Sequence, residues 1–169
     1  MLEIKSASSR NFLAGVKIME EQRLNKMLEN VPNYLGSFAV DELSAVQPKD
    51  HRNLLVINLD ERTGVGSHWI AMAIDLKNVY ICDSLGGISP TKVVSQSWIN
   101  FLYLLSRTRS ICITKQLQNI NSGLCGLYSA LFVQEMNNGS FEDFLRLFTL
   151  DFNKNDEIVQ FLVYKGKQK

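Results

Sequence analysis

Cysteine, proline and histidine are scarce in this sequence: three Cys, three Pro and two His stand among 169 residues. Cys82, Cys112 and Cys125 lie 30 and 13 positions apart, which is neither a disulfide framework nor a C-x-x-C zinc knuckle. A reducing compartment is therefore expected, and a zinc site built from the three thiols and His68 is a remote alternative. No surplus of either charge sign exists: Lys+Arg 18 against Asp+Glu 17 leaves +1, so no global field attracts nucleic acid or anionic membrane. No apolar run approaches the roughly 20 residues a membrane-spanning helix requires. The first twenty residues also lack the basic, apolar, small-residue order of an export signal. What is present is apolar residues at 46% and charged residues at 21%, enough to build a core. The sequence predicts one domain over residues 1–169, with 1–17 as a Ser-rich extension and 165–169 as a basic tail.

Periodicity orders the rest. Met19, Leu24, Met27 and Leu28 fall at helical spacing, predicting a helix over residues 18–29 that Pro32 stops. Residues 32–52 show no sustained period, so the first strand is placed at 53–59, NLLVINL. Residues 68–75 and 79–83 read as strands separated by a short polar turn, which makes an antiparallel hairpin. Alternation puts His68 with Ile70, Met72 and Ile74 on one face, and Asp83 with Ile81 and Val79. The ends carrying His68 and Asp83 therefore meet. Ser89-Pro90 reads as a helix start, with a helix running to about residue 107 on Trp98, Phe101, Leu102 and Leu105. A strand at 111–114, a polar loop at 119–123 and an apolar helix at 124–136 follow. Further helices are expected at 140–150 and 156–164. The predicted class is α+β, a central, mostly antiparallel sheet flanked by helices.

Cys125 sits at the predicted loop-to-helix junction, where unpaired backbone N–H groups and the helix dipole favour an anionic sulfur. Gly123 and Gly126 beside it leave room for a substrate backbone. Taken alone, a buried cysteine acting as a small hydrophobe is an equally plain reading. His68 at a strand start, with Trp69 beside it, gains meaning from Asp83. A carboxylate on one ring nitrogen leaves the other free to act as a base. His51 lies in a polar stretch and reads as a solvated loop residue. Gln118, seven residues before Cys125, is placed to donate to an oxyanion, and Gln116 competes for that role.

The segments GSHWIAMAID, VYICDSLGG and LQNINSGLCGLYSALF resemble, in the same order, the His, acidic, Gln and Cys motifs of the adenovirus maturation protease (adenain) family. The helix around residues 20–30 followed by NYLGSF is similar to that family's first helix and the aromatic-Leu-Gly segment after it. The likeness spans about residues 18–140, and His-Trp, Asp-Ser-Leu and Gln…Cys-Gly are shared with a wider clan that includes the SUMO-specific proteases. The seven-residue Gln-to-Cys step and Asn121-Ser122 favour the adenoviral side. Asp83 stands where adenoviral enzymes usually have Glu, and Asp is common elsewhere in the clan. This chain is also shorter in its C-terminal region.

The resemblance implies an adenain-like cysteine protease with Cys125 as nucleophile, His68 as general base and then acid, Asp83 orienting His68, and Gln118 as oxyanion donor. Trp69, Gly123 and Gly126 would line the substrate path. It further implies polypeptide substrates cut at small or Gly-rich sites, viral capsid or core precursors above all, in the virion or infected host cell. No cofactor is expected for the chemistry. An activating peptide, attached near Cys112 in the SICIT segment, and DNA are implied by the family, although Cys112 itself reads as a buried strand cysteine. DNA finds only Arg107, Arg109, Lys115 and the tail as loose basic groups. A monomer is expected. The competing readings are an isopeptidase removing ubiquitin or SUMO, which would use the same catalytic residues, and a catalytically silent binding module.

Overall fold

The computed structural model describes residues 19–49, 51–64, 66–87 and 95–165. The expected extension 1–17, the Ser89-Pro90 helix start, and Lys167 and Lys169 of the tail lie outside the described residues. Five strands form one mixed sheet in chain order: β1 (Tyr34–Ala39), β2 (Asn53–Asn58), β3 (Trp69–Ile74), β4 (Asn78–Cys82) and β5 (Ser110–Ile113). The two central pairings, β2 with β3 and β3 with β4, are antiparallel, and the outer pairings, β1 with β2 and β4 with β5, are parallel.

The helices are α1 (Glu21–Leu28), α2 (Gln96–Ser106), α3 (Cys125–Asn138), α4 (Phe141–Arg146) and α5 (Phe152–Lys165), with a 3-10 turn at Val40–Ala45. The α+β class is as expected. Strand β3 is buried along its whole length, because both faces of the sheet are covered. Trp69, Ala71 and Ala73 face the core shared with α1, α3, α4 and α5. Ile70, Met72 and Ile74 face a second core built on Trp98, Phe101 and Leu105 of α2 and on Val40 and Leu43. The small Ala71 and Ala73 sit where α3 crosses the sheet. That helix is apolar nearly all round, as a helix enclosed by sheet and other helices must be. Phe132 of α3 meets Phe144 of α4 edge-to-face with ring centroids 5.0 Å apart. Each such buried side chain contributes about 1.5–3 kcal/mol.

Three expectations need correction. The first strand is β1, not the segment at residue 53. Gly36 at φ +126° and a shift of register between Tyr34 and Gly36 interrupt the alternation that would have revealed it. Helix α2 starts at Gln96, capped by the Ser95 hydroxyl, which accepts from Ser97 N at 3.2 Å. The last two helices are shifted: α4 ends at Arg146, and α5 begins at Phe152, after a turn in which Asp151 Oδ1 accepts from Asn153 N and Lys154 N.

Candidate active site

The hairpin of β3 and β4 turns at Asp75–Asn78, and its open end carries His68 and Asp83. With Ala71 opposite Cys82, Asp83 falls opposite Ile70 one step on, and His68 is the neighbour two residues along the same face. The side chains meet: His68 Nε2 lies 2.7 Å from Asp83 Oδ1, and both residues are buried. Leu85 N donates to the same carboxylate oxygen at 3.1 Å. Thr114, just past β5, clamps the backbone of Asp83 from the neighbouring strand. Its hydroxyl accepts from Asp83 N at 3.0 Å and donates to Asp83 O at 2.8 Å.

Cys125 opens α3, and its side chain interacts with the His68 imidazole. With Nε2 taken by Asp83, Nδ1 is the ring nitrogen left to serve another group. Burial would lower the imidazole pKa, but the hydrogen bonds to Asp83 and Cys125, and the charges there, prevail and push it up to about 9. Such a raised pKa stabilises the fold fully below the unfolded value of about 6.5 and loses that contribution as pH rises through about 9. We expect urea midpoints measured from pH 6 to 10 to fall more steeply for the wild type than for His68→Gln. Parallel profiles would contradict the raised value.

Gln118 is buried on the loop before α3. Its Oε1 accepts from the Ser84 hydroxyl at 2.7 Å, and its Nε2 donates to Ser122 O at 3.1 Å, which leaves the second N–H of the amide uncommitted by these bonds. The competing Gln116 is half-buried, and its amide is committed to Gln118 O at 3.0 Å. The loop itself is held from behind. Leu117 O accepts from Asn155 Nδ2 at 3.0 Å and lies 3.3 Å from Tyr128 Oη, whose one proton goes to Asp156 Oδ1 at 2.9 Å. On the other side Gly86, at φ +81°, presses on Gln116, where a Cβ would stand 2.5 Å from the backbone nitrogen.

Ser84, Thr114, Tyr128, Asn155 and Asp156 were not found from sequence. Ser84 lay inside a quoted motif, whereas the pair on α5 gave no local signal. A Cβ at Gly126 would stand 2.9 Å from Met19 Cβ and 3.4 Å from Trp69 Cδ1, so its missing side chain admits Met19 and the indole. Trp69 is buried and donates from Nε1 to Met19 O at 2.8 Å. Met19 and Glu20 line both of two surface cavities of about 220 Å³ each. One is lined by Trp69, Asn58, Glu61 and Arg62, the other by Gly123, Leu124, Leu127 and Tyr164.

Cys82 is fully buried, and burial followed by the charge of Asp83 pushes its thiol well up, which makes it a poor nucleophile. Cys112 is half-buried on β5, opposite Tyr80. Among the described residues no three or more His, Cys, Asp or Glu side chains are grouped to hold a metal ion. No helix among the described residues is long and apolar enough to cross a membrane.

Comparison with known proteins finds viral proteases. A candidate thiol protease of Acanthamoeba polyphaga mimivirus is 36% identical over 90 residues, covering 50% of this chain and 30% of that protein. The crystal structure of an African swine fever virus (ASFV) protease superposes with a TM-score of 0.56 at 14% identity, covering 86% of this chain and 66% of the other, and shares the fold. The chain thus spans under a third of the mimivirus relative and just under two thirds of the ASFV one. Residues 34–150, from β1 through the turn after α4, match the family described as adenovirus endoprotease. By that match over well more than half its length, the chain belongs to the adenovirus endoprotease family of cysteine proteases.

Proposed function

We propose that the chain is a thiol endopeptidase. The observation that carries this reading is the buried imidazole of His68, bonded through Nε2 to Asp83 and interacting with the side chain of Cys125 at the start of a helix. The sulfur of Cys125 attacks the scissile carbonyl carbon, and the oxyanion receives the free N–H of Gln118 and the Cys125 backbone N–H. Imidazolium at His68 gives a proton to the leaving amine, which departs and leaves an acyl-thioester. His68, now neutral, takes a proton from water as its oxygen attacks the thioester, releasing the acid and restoring the thiolate-imidazolium pair. Asp83 keeps the ring in the orientation that points Nδ1 at sulfur throughout. Thiol and imidazole chemistry of this kind needs no metal or cofactor.

Substrates in this reading are structural precursor polypeptides of a virus, cut at small or Gly-rich sites in the particle or the infected cell. The likeness to a mimivirus protein supports a viral setting. The two cavities flanking Met19 would receive the residues on either side of the scissile bond, with Trp69 lining one and Gly123 the other. The test pairs a Gly-Gly-containing peptide with a ubiquitin-lysine isopeptide conjugate, each assayed alone, with DNA, and with a cysteine-bearing peptide able to form a disulfide at Cys112. Peptide cleavage that exceeds isopeptide cleavage is the expected result. Isopeptide cleavage alone would assign the chain to modifier removal, and acceleration by either additive would establish an activator.

A further inference from the structure

Asp83 and Ser84 are consecutive, yet their side chains serve opposite halves of the site. Asp83 holds His68, whereas Ser84, itself only 1% exposed, holds Gln118. The backbone repeats the tie: Ser84 O accepts from both Leu117 N and Gln118 N at 2.9 Å. A primary amide has two ends that differ only in what they bond, so its orientation must be set by its partners. At Gln118 one partner is Ser122 O, which only accepts and therefore demands Nε2. The other is the Ser84 hydroxyl, whose single proton goes to Oε1.

Resting on the endopeptidase reading above, we propose that Ser84 is a positioning residue: its hydroxyl fixes the Gln118 amide with the remaining N–H presented to the oxyanion, and it couples that donor to the turn that holds the general base. Without the hydroxyl, Oε1 is left buried with no donor, and rotation of the amide to find one withdraws N–H from the mouth of α3. The loss falls on the tetrahedral intermediate and spares the ground state. The His68 to Cys125 contact is untouched, because Asp83 keeps its own bonds to His68, Leu85 and Thr114.

The experiment compares wild type, Ser84→Ala, Ser84→Thr, Gln118→Ala and the Ser84→Ala/Gln118→Ala double variant. The probes are an acetylated tetrapeptide ending in Gly-Gly-aminomethylcoumarin and iodoacetamide. Ser84→Ala is expected to lower kcat by about 10-fold or more, part of the 10²–10³ an oxyanion donor supplies. KM should stay within about twofold, with the iodoacetamide rate at Cys125 unchanged. Ser84→Thr should recover most of kcat. In the Gln118→Ala background, Ser84→Ala should cost nothing more, since its whole effect passes through that amide. A kcat within twofold of wild type, or a full second loss in the double variant, would overturn the proposal. Nitrogen-15 spectra of the Gln118 side-chain amide, identified by its disappearance in Gln118→Ala, supply a readout independent of turnover. The pair of amide protons should shift and broaden in Ser84→Ala, and unchanged resonances would sink the idea. If wild type leaves the coumarin peptide intact, the endopeptidase reading is what fails, and the amide spectra alone then decide the role of Ser84.

Discussion

Cys125→Ala is expected to abolish peptide hydrolysis while leaving the fold in place. The sulfur is the bond-forming atom of the proposed mechanism, and removing a nucleophile of this kind lowers kcat by about 10⁴-fold or more. Cys125 is 4% exposed at the first turn of α3, packed among Trp69, Leu127 and neighbouring core residues. Shortening it to alanine removes one sulfur atom from that packing, at a cost of about 1 kcal/mol. Retained turnover in Cys125→Ala, followed with the coumarin peptide and checked by circular dichroism, would end the assignment of this residue. Neither of the other thiols offers a substitute with the same geometry, because Cys82 lies wholly inside the core and Cys112 sits on β5.

His68→Ala should remove turnover by about 10³-fold or more and, unlike Cys125→Ala, also weaken the fold. The reason is Asp83. Its carboxylate side chain is 5% exposed and bonded to His68 at 2.7 Å, so deleting the imidazole leaves a buried negative charge with only the Leu85 N–H and the protein dipoles around it. Breaking a buried pair from one side costs about 3 kcal/mol. The double variant His68→Ala/Asp83→Asn removes the charge and should regain much of that stability without regaining turnover. Equal melting temperatures for His68→Ala and Cys125→Ala would contradict the burial and pairing of Asp83.

The parts of the site that the sequence displayed are those governed by short-range periodicity. Alternation along residues 68–75 and 79–83 placed His68 and Asp83 at one end of a hairpin, and the apolar period after Gly123 placed Cys125 at a helix start. Local pattern failed where the geometry depends on distant chain. β1 pairs in parallel with β2 through a bulge at Gly36, so neither a tight turn nor clean alternation marked it. The close approach of Met19 to Gly126 joins segments remote in sequence, which no local pattern announces. The choice between Gln116 and Gln118 could not be made from spacing. The long-range bond from Ser84 to Gln118 and the bond from Gln116 to its neighbour's carbonyl distinguish the two amides, and neither is encoded in local spacing. The support of that loop by Asn155 and Asp156 of α5 likewise joins segments with no shared local motif.

The pairing of Cys125 with His68 is the central claim, and alkylation tests it without any knowledge of substrate. Wild type and His68→Ala are treated with iodoacetamide at pH 7, and each cysteine-bearing peptide is quantified by mass spectrometry over time. Cys125 should react faster than Cys82 and Cys112 in wild type, and that advantage should vanish in His68→Ala. Equal rates at Cys125 with and without His68 would show that the imidazole does not act on the sulfur, and the proposed mechanism would be wrong.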